Sequence, residues 1–159
     1  MANFIGEFEC KLDAKGRLML PSGLRKQLDP AAQEKFVLNR GFEKCLVLYP
    51  KNEWEGISAE VNKLNQYVKK NRDFIRYFYR GASELSVDAT GRILFPKQML
   101  TYAGVQKEVV LFAYSNRIEV WDAATYNNLL TDEPEDFSRL AEEVMGGGSS
   151  NTDQQDELS

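Results

Sequence analysis

An arginine set directly behind a glycine turn, with an aspartate four residues upstream, is suited to gripping a polyanion, and the chain carries this arrangement twice. Asp13-Ala14-Lys15-Gly16-Arg17-Leu18-Met19-Leu20-Pro21 recurs as Asp88-Ala89-Thr90-Gly91-Arg92-Ile93-Leu94-Phe95-Pro96, 75 residues further on. In an Asp-x-x-Gly turn the carboxylate accepts hydrogen bonds from backbone N–H groups two or three residues on, and the glycine supplies a positive φ. The arginine that follows is carried near the tip of a hairpin. From there its planar guanidinium can meet phosphate oxygens, or the O6/N7 edge of guanine, through two parallel bonds. The aspartate either pairs with that arginine and fixes its direction, or caps the turn. Lys15 in the turn, and Arg25 and Lys26 near the end of the next helix, would add phosphate contacts. Thr90 replaces Lys15 in the second copy, which predicts a more electropositive first copy.

The same residues admit a plainer reading, as two surface ion pairs that stabilise two turns and contribute about 0–1 kcal/mol each. That reading explains Asp and Gly, and explains less well why arginine follows in both copies. An acid/base pair of Asp13 and Asp88 is a third option. It needs one carboxyl with a raised pKa in a dry cleft, and an aspartate beside an arginine is biased the other way. Histidine is absent, which excludes Ser-His-Asp and Cys-His nucleophiles and His-ligated metals. Cys10 and Cys45 lack CxxC spacing and read as small buried hydrophobes. Neither an enzyme nor a metal or small-molecule cofactor is expected.

The elements that would position these turns follow from the repeat. Leu46-Val47-Leu48-Tyr49 aligns with Ile118-Glu119-Val120-Trp121, and Trp54 with Tyr126, at an offset of 72. Two copies, residues 7–54 and 83–126, thus bracket a middle segment. Each copy predicts a strand (8–12; 84–87), the turn, a second strand (17–20; 92–95) ended by proline, and a short helix (22–28; 97–103). A hairpin closes each copy, 36–38 with 45–49 and 109–114 with 117–121. In the second hairpin Asn116 is expected to take the positive φ. A unit of this size buries too little surface to be stable alone. The two are therefore expected to pack as an intramolecular pseudo-dimer with an interleaved, β-barrel-like core, an α+β protein with peripheral helices.

Residues 55–82 read as connecting helices. Trp54, Ile57, Val61, Leu64 and Val68 share one helical face. Further on, Lys69, Arg72, Arg76 and Arg80 form a basic stripe beside Phe74 and Phe78, a pattern open to a solvated face or to a nucleic-acid or subunit contact. Residues 127–145 are expected to be helical. Within them 134–145 carries Pro134, Glu135 and Asp136 in its first turn and an apolar stripe of Phe137, Leu140, Ala141 and Val144. Residues 146–159 read as a disordered acidic tail.

The net charge of −4 conceals a segregation. Residues 131–159 hold nine of the 24 acids and one of the 20 bases, leaving residues 1–130 at +4. Screening confines charge effects to about 8 Å at physiological salt, so a basic surface survives an acidic total. No apolar run approaches the roughly 20 residues of a membrane span, the start MANFIGEFEC has no secretory pattern, and the isolated cysteines suit a reduced cytoplasmic setting.

With the duplicated element in view, followed by Leu46-Val47-Leu48-Tyr49-Pro50 and Glu53-Trp54 in one copy and by Ile118-Glu119-Val120-Trp121-Asp122 in the other, the chain from Phe4 to Tyr126 resembles the MraZ family. That resemblance implies two SpoVT-AbrB-type domains in a swapped-hairpin fold and ring-shaped homo-oligomers. It implies a sequence-specific transcriptional regulator that binds short direct repeats of double-stranded promoter DNA upstream of the division and cell-wall gene cluster, its own promoter included. Carried over position by position, its DNA-binding residues would be Asp13, Lys15, Gly16 and Arg17, then Asp88, Gly91 and Arg92, with the protein cytoplasmic and nucleoid-associated. Ile5, Ala113 and Tyr126 depart from the family's usual basic residue, Gly and Trp. The alternative is an oligomeric protein-interaction scaffold without direct DNA binding.

Overall fold

Among the described residues eight strands form, four from each repeat. The first repeat contributes β1 (Phe4–Lys11), β2 (Arg17–Met19), β3 (Lys35–Arg40) and β4 (Leu46–Pro50). The second contributes β5 (Ser83–Ser86), β6 (Arg92–Leu94), β7 (Glu108–Ser115) and β8 (Arg117–Asp122). The α-helices among the described residues are α1 (Ser22–Arg25), α2 (Lys51–Asn62), α3 (Lys69–Tyr79), α4 (Lys97–Ala103), α5 (Ala123–Thr131) and α6 (Phe137–Ala141). The computed structural model describes residues 2–131 and 137–146. The mixed α+β class is as expected.

The strands cross between repeats. β1 pairs along its whole length with β7 of the other repeat, from Phe4↔Ser115 to Lys11↔Glu108. β5 pairs with β3, Phe36 opposite Leu85. β4 and β8 join the two hairpins through Leu46↔Val120, Val47↔Glu119 and Leu48↔Ile118. Because Leu46 is the repeat equivalent of Ile118, and Leu48 of Val120, this register centres a pseudo-two-fold on the Val47–Glu119 rung. β2 and β6 pair the same way about Leu18↔Ile93.

No closed barrel is found among the described residues. The strands make an open six-stranded antiparallel sheet, β1-β7-β8-β4-β3-β5, and a separate two-stranded ribbon, β2-β6. β2 and β6 are three residues each and end just before Leu20-Pro21 and Phe95-Pro96. Proline has no donor with which to continue a ladder, and outside the ribbon β2 keeps the single Leu12↔Leu18 bridge to the end of β1.

One apolar core serves both repeats: Leu18, Leu24, Phe36 and Leu48 pack with Ile93, Met99, Ile118 and Val120. The helices differ in detail from expectation. α1 stops at Arg25, and past it Gln27 and Leu28 N–H donate three residues back, to Leu24 O at 2.9 Å and Arg25 O at 3.2 Å. Pro30 then begins a short 3₁₀ turn that Asp29 caps by accepting from Ala31 N–H at 2.9 Å, since a residue before proline avoids helical geometry. The connecting helices break at residues 63–68, where Asn65 Oδ1 accepts from Tyr67 N–H at 3.0 Å. Trp54 of α2 then stacks on Phe78 of α3, centroids 5.6 Å apart. The positive φ of the β7–β8 turn falls on Ser115 (φ 52) instead of Asn116.

A second unit begins at Asn127. Its described parts are the rest of α5, then α6 followed by a π-helical turn, Glu142–Gly146. Arg139 Nε meets Glu143 at 3.3 Å. Pro134, Glu135, Asp136 and the tail beyond Gly146 lie outside the described residues. No helix among those described is long and apolar enough to cross a membrane.

Candidate nucleic-acid interface

Each Asp-x-x-Gly turn closes through its own backbone before any side chain acts. Asp13 N–H donates to Arg17 O (2.8 Å) and Gly16 N–H to Asp13 O (3.0 Å); the second turn repeats both distances with Asp88, Arg92 and Gly91. Both glycines sit at φ +84°, the left-handed region that this turn requires. Asp13 Oδ1 accepts from the N–H groups of Lys15 and Arg17, each at 2.9 Å. Asp88 Oδ1 accepts from those of Thr90 (2.8 Å) and Arg92 (2.9 Å). The aspartate is therefore a turn cap in both copies.

It is an arginine partner in one. Arg17 Nε donates to Asp13 Oδ2 at 2.8 Å, with side chains 36% and 32% exposed. That bond holds the arginine by its inner nitrogen, Nε. Asp88 takes a third bond from the Thr90 hydroxyl (2.7 Å) instead, and Arg92 forms no ion pair with it.

Both carboxyls are held below the usual aspartate range. For Asp13 the largest cause is the Arg17 N–H, helped by the Arg17 guanidinium and the Lys15 N–H. For Asp88 it is the Thr90 hydroxyl, then the Arg92 N–H, with the charge of Arg17 adding to both. A carboxyl shifted in this direction is a poor general acid at neutral pH, so an Asp13/Asp88 acid/base pair has no support.

The ribbon brings the two turns together. Leu20 N–H donates to Gly91 O and Phe95 N–H to Gly16 O, each at 3.0 Å, so each turn glycine anchors the end of the other repeat's strand. Leu18 and Ile93 point inward and are fully buried. By strand alternation their neighbours Arg17, Met19, Arg92 and Leu94 share the outer face. Arg17 sits opposite Leu94 and Met19 opposite Arg92, which puts the two arginines on one diagonal.

Arg25 joins the second turn, not its own repeat's. A methyl added to Gly91 would lie 3.1 Å from Arg25 Nη1 and 3.3 Å from Met19 Sδ. Arg25 is steadied there by Glu34, Nε to Oε1 2.7 Å. The repeat-equivalent of Arg25 is Leu100, whose Cδ1 lies 3.6 Å from the matching point on Gly16. Basic charge expected to favour the first copy is thus shared, with Lys15 and Arg17 at one end and Arg92 and Arg25 at the other. Lys15 and Lys26 are exposed, the latter at the C-cap of α1.

The basic stripe on α3 is largely engaged. Lys69 and Arg76 both meet Asp73, at 2.9 and 3.4 Å, and Arg72 Nη1 donates to the carbonyls of Gln66 and Tyr67. Met19 and Leu94 were not among the residues singled out from sequence. The available signal was strand alternation, which turns the middle of the three residues after each glycine inward and the third outward.

The model of the MraZ protein family matches residues 3–77 and again 78–146. The chain belongs to the MraZ family. Curated MraZ relatives agree along nearly their whole length. A protein of Christiangramia forsetii is 50% identical over 92% of this chain and 95% of its own. One of Flavobacterium psychrophilum is 50% identical over 92% and 94%, and one of Pediococcus pentosaceus 39% over 91% and 99%. Each is named a transcriptional regulator MraZ, which places the family among regulators and not among enzymes. The double match of the MraZ model coincides with the tandem arrangement of the Asp-x-x-Gly-Arg turns.

Proposed function

We propose that this chain is a transcriptional regulator that binds double-stranded DNA in a sequence-specific manner through its two Asp-x-x-x-Arg turns. Its targets are short direct repeats in the promoter of a division and cell-wall gene cluster, its own promoter included, engaged by a ring-shaped homo-oligomer. The observation that carries the reading is the ribbon face. Two arginines from sequence-distant turns share one outward surface, and Arg17, bonded to Asp13 through Nε, stays 36% exposed there. A two-stranded ribbon is among the elements the major groove admits. Arg17 and Arg92 would read guanine edges, and Asp13, Gly16, Asp88 and Gly91 hold the backbone that aims them. Lys15, Arg25 and Lys26 add phosphate contacts.

One protomer offers few contacts, so affinity would come from several ribbons meeting several repeats at once, by effective concentration. The experiment is a mobility shift of the gene's own upstream region with Arg17→Ala and Arg92→Ala. Each variant should fold and assemble as the parent does, and lose the specific complex. An unchanged shift in both variants refutes the role.

A scaffold role draws on a different observation. Phe42, Tyr67 and Tyr77 are almost wholly or largely exposed, and Phe42 and Tyr77 help line a cavity of about 410 Å³ with Tyr49, Tyr102 and Arg117. This aromatic surface is suited to self-association, which serves the ring and leaves the ribbon free.

A further inference from the structure

The outer face of the ribbon holds four side chains, and only two are charged. We infer that Met19 and Leu94 are base-reading residues that recognise thymine through its C5-methyl group, each beside a guanine taken by the arginine across the ladder. The inference rests on the ribbon being the DNA-facing surface.

Three observations lead there. First, Met19 and Leu94 are 47% and 56% exposed, while their strand neighbours Leu18 and Ile93 are fully buried in the core. Core packing therefore does not account for the apolar side chain at either position. Second, the register makes a checkerboard: Arg17 faces Leu94, and Met19 faces Arg92. Directly opposed side chains have Cβ atoms about 5 Å apart, so every guanidinium has one apolar neighbour at the reach of an adjacent base pair. Third, the pattern obeys the pseudo-two-fold about Leu18↔Ile93 and is made by different residue types, Met in one copy and Leu in the other. What the two positions share is an apolar, flexible tip.

The chemistry selects the ligand group. In the major groove the thymine methyl is the one apolar feature on any base edge, and apolar side chains are its natural contact. Residues two apart on a strand are about 6.8 Å apart, close to two base-pair rises of about 3.4 Å. The ribbon thus presents Arg17 and Met19 to positions two base pairs apart, and Arg92 and Leu94 likewise in the opposite sense. Met19 has a further tie to this surface, since its Sδ lies beside Gly91 together with Arg25 Nη1.

Replacing thymine by uracil removes the methyl and nothing else. The full-length protein would be used to select its preferred duplex from a randomised library. Each thymine of that duplex would then be changed singly to uracil, and binding measured for the parent, Met19→Ala and Leu94→Ala. For the parent, at least one thymine adjacent to an essential guanine should show a loss of about four-fold for its single methyl. In the matching variant that uracil penalty should vanish, while thermal stability and low-salt affinity for unrelated duplex stay unchanged. Uracil substitutions that are all neutral, or penalties that persist in the Met19→Ala/Leu94→Ala double variant, overturn the inference and leave the regulator reading intact. Loss of affinity in the variants that is equal for thymine and uracil duplexes overturns it too. Failure to enrich any duplex overturns both.

Discussion

Asp13 and Asp88 do the same backbone work with different side-chain company, and the difference turns on what faces each carboxylate. Arg17 is locked to Asp13, whereas the Thr90 hydroxyl occupies Asp88. Arg17 is thus the pre-aimed arginine, and its truncation should weaken specific binding more than that of Arg92. One bidentate guanine contact is worth about 1–3 kcal/mol, so Arg17→Ala should cost roughly ten- to a hundred-fold in a fluorescence-anisotropy titration. The acid behaviour also belongs here. Both carboxyls lie below their ordinary value in the folded chain. A depressed folded pKa adds stability that is present above the unfolded pKa of about 3.9 and is lost as pH falls through the folded value. The turns should hold at about pH 5 and weaken below about pH 4. Urea midpoints followed down to about pH 2 should fall less steeply for Asp13→Asn/Asp88→Asn than for the parent.

Among the elements, the tight turns and the sheet edges carry the risk. At Gly91 the neighbours of an added methyl are the far ends of Arg25 and Met19, which can move. The cost of Gly91→Ala is therefore the positive φ itself, roughly 1–2 kcal/mol for an L-residue held in the left-handed region. A lowered thermal midpoint with the fold retained is the expected result. β1 is an outer strand of the six-stranded sheet, and a bare edge invites pairing with another chain. Gln27 blocks it: its Oε1 accepts from Ile5 N–H at 3.0 Å and its Nε2 donates to Ile5 O at 2.9 Å, as a neighbouring strand would. Gln27→Ala should leave the melting curve close to that of the parent and raise concentration-dependent light scattering, since Ile5 beside it is strongly exposed.

For the whole molecule, the two repeats are one folding unit. β1 closes on β7, β5 on β3 and β2 on β6, so each half lacks partners for strands whose inner faces are apolar. Fragments cut after residue 80 should each fail to melt cooperatively by circular dichroism. Mixed in equal amounts, they should recover the native spectrum. Charge acts at the same scale, because residues 1–130 carry +4 while the total is −4. If the ribbon holds phosphates, log affinity should fall linearly with log salt, by about 0.9 for each phosphate neutralised. A flat dependence would point to the scaffold role.

Much of the candidate site was legible from residue order because its chemistry is local. An aspartate, the N–H groups just after it and a glycine at positive φ make a turn wherever they occur, so the two turns and the arginines behind them followed from spacing. Spacing left open whether each aspartate caps its turn or pairs with its arginine; folded, both cap, to N–H groups two and four residues on, and Asp13 alone does both. The two-fold repeat likewise announced that neither half stands alone. Tertiary structure decided what depends on pairing between distant strands. Identical local patterns are compatible with a closed barrel or an open sheet, and the pairing of distant strands decided for the open one. The β2–β6 register also set Arg25 against Gly91 of the other repeat and placed Met19 and Leu94 beside the arginines. Strand pairing joins residues whose separation along the chain carries no trace of the contact, and so the composition of the outer face became visible only in the folded protein.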